Sequence, residues 1–128
     1  MTETLTQIPT RAKKEEVCDN RQECTLGLRD AMDVLSGKWK IQIIGALVFG
    51  GRQRFKNLQR KVEGIGAKML SKELQDLERH QLITRTVIQS KPITVEYEIT
   101  PYGRTLEPIF VGIGEWGIKH RRKIMKES

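Results

Sequence analysis

A mainly helical α+β fold is predicted by three features of this 128-residue sequence. From Leu26 onward, apolar residues recur at three- and four-residue steps, the rhythm of amphipathic helices. Residues 82–99 break that rhythm with two runs rich in β-branched residues on either side of "SKPI", which reads as an antiparallel hairpin. Glycines and prolines fall between the periodic segments, so each segment has a physical stop. The length suits one compact domain.

Residues 1–23 are polar, mixed in charge and without periodicity, and are expected to form a flexible arm. Residues 24–128 are assigned to the domain. Its first helix is predicted in "LRDAMDVLSG", with Leu28, Met32 and Leu35 on the inner face and Gly37 as the stop. "KWKIQIIGALVFGG" is a nearly buried helix, with Trp39, Ile43 and Leu47 on one side and Ile44 and Val48 beside them. In "RFKNLQRKV", Phe55, Leu58 and Val62 make a short amphipathic helix whose other residues are basic or amide. "EGIG" is too rich in glycine to continue it and is a turn, with Ile65 available to plug into the core. The next helix, from Ala67, carries Leu70, Leu74 and Leu77 as its buried stripe.

After Leu82, "LITRTVIQ" and "TVEYEIT" supply the hairpin, with Val95, Tyr97 and Ile99 on one side of the second strand and Glu96 and Glu98 on the other. Pro92 belongs to the turn, because proline cannot donate to a central ladder. Thr100 and Pro101 are suited to open a final helix reaching about Met125. Pro108 should kink that helix or disturb its first turns. Two helices joined by a tight turn and followed by a β-hairpin are the layout of a winged helix-turn-helix with a two-stranded wing.

The charge pattern says what such a domain would bind. Formal net charge is +7, and residues 51–72 hold seven Lys/Arg against Glu63 alone. Concentration of positive charge beside a helix start points to a polyanion, here double-stranded DNA. The second helix of a helix-turn-helix enters the major groove with its N-terminal half. On that helix Ala67, Lys68, Ser71, Lys72 and Gln75 share one outer stripe. Lys68 and Lys72 suit guanine acceptors or phosphates, Gln75 suits adenine, and Ser71 suits either. Backbone amides near Gly66 and Ala67 can hold a phosphate. Arg54, Lys56 and Asn57 suit backbone contacts that position without specifying, and Lys91 at the wing tip suits a phosphate or the minor groove.

The last helix has more apolar surface than a small core needs. Leu106, Ile109, Ile113 and Trp116, widened by Phe110, form a stripe that fits a homodimer seam. A two-fold symmetric operator needs two recognition helices, which favours the dimer over packing within one subunit. "GIGEWG" at residues 112–117 matches a dinucleotide-binding pattern literally. With no strand before it and no acidic residue about 20 positions further on, it is not such a site.

The runs "LSGKWKIQIIGAL", "RFKNL", "AKMLSKELQDLERHQLITR", "VEYEITPYGRTLEPI" and "EWG" occur in order with short gaps. Together, from residue 26 to about 120, they resemble the HxlR-type transcriptional regulators, winged-helix proteins allied to the MarR group. The resemblance implies a homodimer that binds operator DNA and regulates transcription by repression or activation. Some relatives sense electrophiles, oxidants or aldehydes, so it also implies a small effector of unknown identity. Relatives that respond to oxidants often carry a cysteine just before the first helix, which makes Cys24 the candidate redox sensor. Thr25 follows it where the family commonly has proline. Gly66 stands where relatives place Ser or Thr, so a side-chain contact from that position is not carried over.

Other classes fit less well. Cys18 and Cys24 are not a CxxC pair and have no histidine cluster nearby, so neither a metal site nor a structural disulfide framework is expected. No cofactor is expected. His80 and His120 have no nucleophile or acid partner in a recognisable pattern, and the chain is not read as an enzyme. Residues 1–25 lack an apolar core run, and "IQIIGALVFG" is too short to span a bilayer. A cytoplasmic protein without membrane attachment is therefore expected. The alternative function is a winged-helix module that binds protein instead of DNA, which would need an exposed apolar patch on the third or fourth helix.

Overall fold

The structure, a computed structural model, describes residues 20–127. The elements are α1 (Arg21–Leu35), α2 (Lys40–Gly50), β1 (Gln53–Arg54), α3 (Phe55–Lys61), α4 (Ala67–Arg79), β2 (Ile83–Ile88), β3 (Thr94–Ile99) and α5 (Glu107–Glu127). A 3-10 turn over Gly103–Leu106 precedes α5. This is the expected mainly helical α+β fold with the winged helix-turn-helix order.

The core lies where the helical stripes converge. Ile43, Ile44 and Leu47 of α2 meet Leu58 and Val62 from α3 and its end, Ile65 from the turn, and Leu70, Leu74 and Leu77 of α4. Leu82, Ile83, Tyr97 and Ile99 close it from the sheet side, and Phe110 from α5. Full burial of an aliphatic side chain of this size contributes about 2 kcal/mol, so the three α4 leucines alone seat that helix firmly.

The α4–β2 junction is a Schellman turn. Leu82 N–H donates to Leu77 O at 3.0 Å and Gln81 N–H to Glu78 O at 2.9 Å. The geometry requires a left-handed residue, and Gln81 supplies it at φ 66°. Thr100 then ties the far end of the hairpin to this junction. Its hydroxyl donates to Gln81 O at 2.8 Å and accepts from Gly103 N–H at 2.8 Å. Gly103 has to be glycine, because a Cβ there would lie 2.3 Å from the Leu82 carbonyl oxygen.

Four features depart from the sequence reading. Among the described residues the sheet has three strands, in the order β1-β3-β2, because residues 53 and 54 pair antiparallel with β3 (Gln53↔Tyr97, Arg54↔Glu96). A two-residue strand has no periodicity to detect. α1 starts at Arg21, inside the stretch read as a flexible arm, since the Asn20 side chain accepts from Glu23 N–H and caps it. Residues 1–19 of that arm lie outside the described residues. The apolar stripe of α1 does not face this core: Leu35 is buried, but Leu28 and Met32 are exposed. Finally, Thr100 caps the 3-10 turn instead of α5, and α5 begins at Glu107 with Pro108 in its first turn, where a missing N–H breaks no helical bond.

Candidate nucleic-acid interface

α4 presents its two faces as its sequence demands. Leu70, Leu74 and Leu77 point into the core, while Ala67, Lys68, Lys72 and Gln75 are exposed and Ser71 is half-buried. Gly66 is the N-cap, extended at φ −84°, and gives no side-chain cap. The first-turn amides of α4 are thus left without a side-chain acceptor, as an anion site at a helix start requires.

Charge compensation divides the basic residues into two groups. Arg52 Nε lies 2.6 Å from Glu96 Oε1 and Arg54 Nε lies 3.9 Å from Glu96 Oε2. Arg52 also reaches Glu98 at 3.7 Å. Much of the positive charge next to β1 is therefore offset by the outward acids of β3. Among the described residues, Lys56, Lys68, Lys72 and Lys91 form no ion pair, and all four are exposed. Lys56 lies on α3, beside Asn57, whose Oδ1 accepts from Arg60 at 2.8 Å. Lys91 precedes Pro92 in the turn between β2 and β3.

Between α4 and the sheet runs a groove of about 460 Å³ lined by Ser71, Leu74, Gln75, Glu78, Phe55, Arg85, Val95 and Tyr97. Ser71 and Gln75 thus stand on one wall, and Arg85 and Tyr97, cross-strand partners on β2 and β3, on another. The Arg85 guanidinium and the Tyr97 hydroxyl are polar groups that the sequence reading missed. Period-2 alternation puts Arg85 on the same side of β2 as Ile83, the face that its partner Tyr97 shares, but only the fold lays that face against α4.

A buried charge cluster was also missed. Lys40, at the start of α2, reaches Glu73 Oε1 at 2.5 Å and Asp76 Oδ2 at 3.3 Å, and Asp76 pairs with Arg79. Burial alone would lower the Lys40 pKa, but its hydrogen bonds to Glu73 and Asp76 and their charges outweigh burial and raise it. For Asp76, burial raises, but the Lys40 hydrogen bond and the charges of Lys40, Arg79 and Lys72 prevail, and its pKa falls below the ordinary carboxylate value.

The other assigned residues separate in space. On α5, Ile109, Ile113 and Trp116 are exposed, and the Trp116 ring stacks on His120 with centroids 4.9 Å apart. Phe110 is buried in its own subunit and Leu106 is packed against that core. Helical phase turns Phe110 inward as α5 crosses the core, while Leu106 lies half-buried in the 3-10 turn before α5. Cys24 is half-buried on α1 and is disulfide-bonded, where no structural disulfide framework was expected. Disulfide formation needs proximity of the two Cα atoms and no CxxC spacing. Cys18 lies outside the described residues. The "GIGEWG" run lies inside α5, which has no loop to cradle a phosphate. No helix among the described residues is long and apolar enough to cross a membrane.

Known proteins share this arrangement. Residues 34–125 match the HxlR-like helix-turn-helix family. The HTH-type transcriptional regulator YybR of Bacillus subtilis (strain 168) is 34% identical over 110 residues, covering 86% of each chain. The crystal structure of the HTH-type transcriptional regulator YtcD is 37% identical with a TM-score of 0.70, covering 74% of this chain and 96% of the other. The redox regulator HypR in its reduced form is 33% identical with a TM-score of 0.70, covering 80% of this chain and 99% of the other. By its motifs, its fold and these relatives, the chain belongs to the HxlR-like helix-turn-helix family and is a transcriptional regulator of the helix-turn-helix type.

Proposed function

We propose that this regulator acts as a homodimer on a near-palindromic DNA operator, with α4 of each copy in the major groove. The observation that carries the reading is the outer face of α4, where Lys68, Ser71, Lys72 and Gln75 stand together and neither lysine is taken by an ion pair. In this reading the α4 residues contact base edges, Lys56 and the amides at Gly66 and Ala67 hold phosphates, and Lys91 reaches the flanking backbone. Ile109, Ile113 and Trp116 of α5 meet their counterparts in the second copy and set two recognition helices about one or two helical turns apart.

Footprinting should reveal paired half-sites, with affinity that falls steeply with salt. Lys68→Ala combined with Lys72→Ala should weaken operator binding at least tenfold and lower the salt slope by about two. Unchanged operator affinity in that variant would sink the assignment of α4. The protein-binding alternative has little support, since Met69 is the one large hydrophobic of α3 or α4 that is exposed among the described residues.

The operator complex is further proposed to respond to oxidation at Cys24. The disulfide at Cys24 and the likeness to the redox regulator HypR support this reading. Operator binding measured before and after reduction, on wild type and Cys24→Ser, tests it. An identical response in both proteins rules out Cys24 as the sensor.

A further inference from the structure

The leucine stripe turns that side of α4 toward the core but fixes the helix rotation only coarsely. Leu70, Leu74 and Leu77 are held by burial, and apolar burial has no direction. A directional contact lies beside them. The Lys40 ammonium is 2.5 Å from Glu73 and 3.3 Å from Asp76, and the Lys40 and Glu73 side chains are only 10% and 8% exposed. In sequence Glu73 directly follows Lys72, and Asp76 directly follows Gln75. The anchor and the outer face are therefore parts of one rigid helix.

We infer that Lys40 is a positioning residue for DNA sequence discrimination: clamped between Glu73 and Asp76, it sets the rotation of α4 about its own axis and keeps both carboxylates engaged away from Lys72. The inference rests on the assignment of α4 as the DNA-reading helix. Side-chain ends lie about 6 Å from a helix axis, so a roll of about 10° moves them by about 1 Å. Base-edge hydrogen bonds survive shifts of only a few tenths of an ångström. Phosphate contacts made by long, flexible lysines survive more. Loss of the clamp therefore erodes discrimination before general DNA affinity. A second effect has the same sign. Lys72 and Asp76 are four residues apart on one helix, close enough to pair. Freed from Lys40, Asp76 would keep only Arg79 as a direct partner and would pull harder on the Lys72 ammonium, whose charge already acts on it.

A role in stability alone is the weaker account, because a buried ion pair replaced whole by apolar groups is often neutral or stabilising. The test separates the two on the full-length chain. The probe is a duplex selected by the wild-type protein from a randomised pool, compared with the same duplex scrambled. Lys40→Met combined with Glu73→Leu should melt near the wild-type temperature and bind the scrambled duplex within about twofold of wild type. Its preference for the selected duplex should fall about tenfold, the size of one good base contact. Glu73→Gln, which keeps the shape and weakens the clamp, should show a smaller loss of preference, and Lys40→Arg should retain it. A folded double variant with wild-type preference overturns the inference and leaves the DNA-reading assignment standing. Should the double variant fail to fold, wild-type preference in Glu73→Gln overturns it equally. A wild-type protein that selects no duplex overturns the DNA-reading assignment and this inference together.

Discussion

α4 and α5 are both amphipathic helices, and the fold treats their apolar stripes in opposite ways. On α4, Leu74 is 1% exposed and its neighbours Leu70 and Leu77 are as deeply buried. On α5, Ile113 is 52% and Trp116 66% exposed, and only Phe110 reaches the core. The α4 stripe is used up within one protomer, which leaves its polar face as the free surface. The α5 stripe remains open, and exposed Ile109 and Ile124 share its face. Contiguous apolar exposure of this kind marks an interaction surface. One helix holds the domain together, and the other carries the exposed apolar face that the proposed dimer would use.

That contrast can be broken most directly by truncation. Leu74→Ala should cost about 3 kcal/mol in urea unfolding, because it leaves a cavity in a closed core. Trp116→Ala should leave the protomer's intrinsic stability nearly unchanged and weaken self-association by about 2 kcal/mol, the size of an interface hot spot. Sedimentation over a range of concentrations would measure the second effect. Equal unfolding losses in the two variants would mean that Trp116 packs within its own subunit.

The pH dependence sharpens how α4 is pinned. Lys40 has a raised pKa, so its contribution is complete below the unfolded value of about 10.4 and is lost as pH climbs through the higher folded value. Asp76 has a lowered pKa, so its contribution is present above about 3.9 and is lost as pH drops through the lower folded value. Urea midpoints should therefore fall at both extremes. The alkaline fall should shrink in Lys40→Met with Glu73→Leu, while truncation at Trp116 should leave both limbs in place.

The smallest effect concerns the end of α4. Gln81 holds φ 66°, a conformation that costs an L-residue about 1 kcal/mol and glycine almost nothing. Gln81→Gly should raise stability by up to about 1 kcal/mol in the same unfolding assay. No gain would mean that the Gln81 side chain offsets the strain, or that the entropy glycine adds to the unfolded chain cancels it.

Periodicity was a good guide wherever one helix face met this core, as for Ile43 and Leu47 on α2 and for the leucines of α4. It failed where burial depends on which neighbour is present. Leu28 and Met32 repeat like core residues yet face outward, and Phe110 repeats with the α5 stripe yet turns inward. Charge counting failed in a related way. Arg52 and Arg54 add to the basic window, but only strand pairing brings Glu96 opposite Arg54. The candidate DNA face was legible because Ala67, Lys68, Ser71, Lys72 and Gln75 lie on a single helix, where spacing alone determines which residues share a side.

The chain's local chemistry was enough to decide the helices, the glycine turn before α4, the hairpin, and the grouping of polar residues along α4. Each depends on interactions among residues close in sequence. Three-dimensional packing alone decided that β1 joins the sheet, that Arg52 and Arg54 are neutralised, that Arg85 and Tyr97 face Ser71 and Gln75 across a groove, and that Lys40 grips Glu73 from 33 residues away. Those contacts join segments far apart along the chain, and a pattern read within one segment carries no information about which distant segment will lie against it.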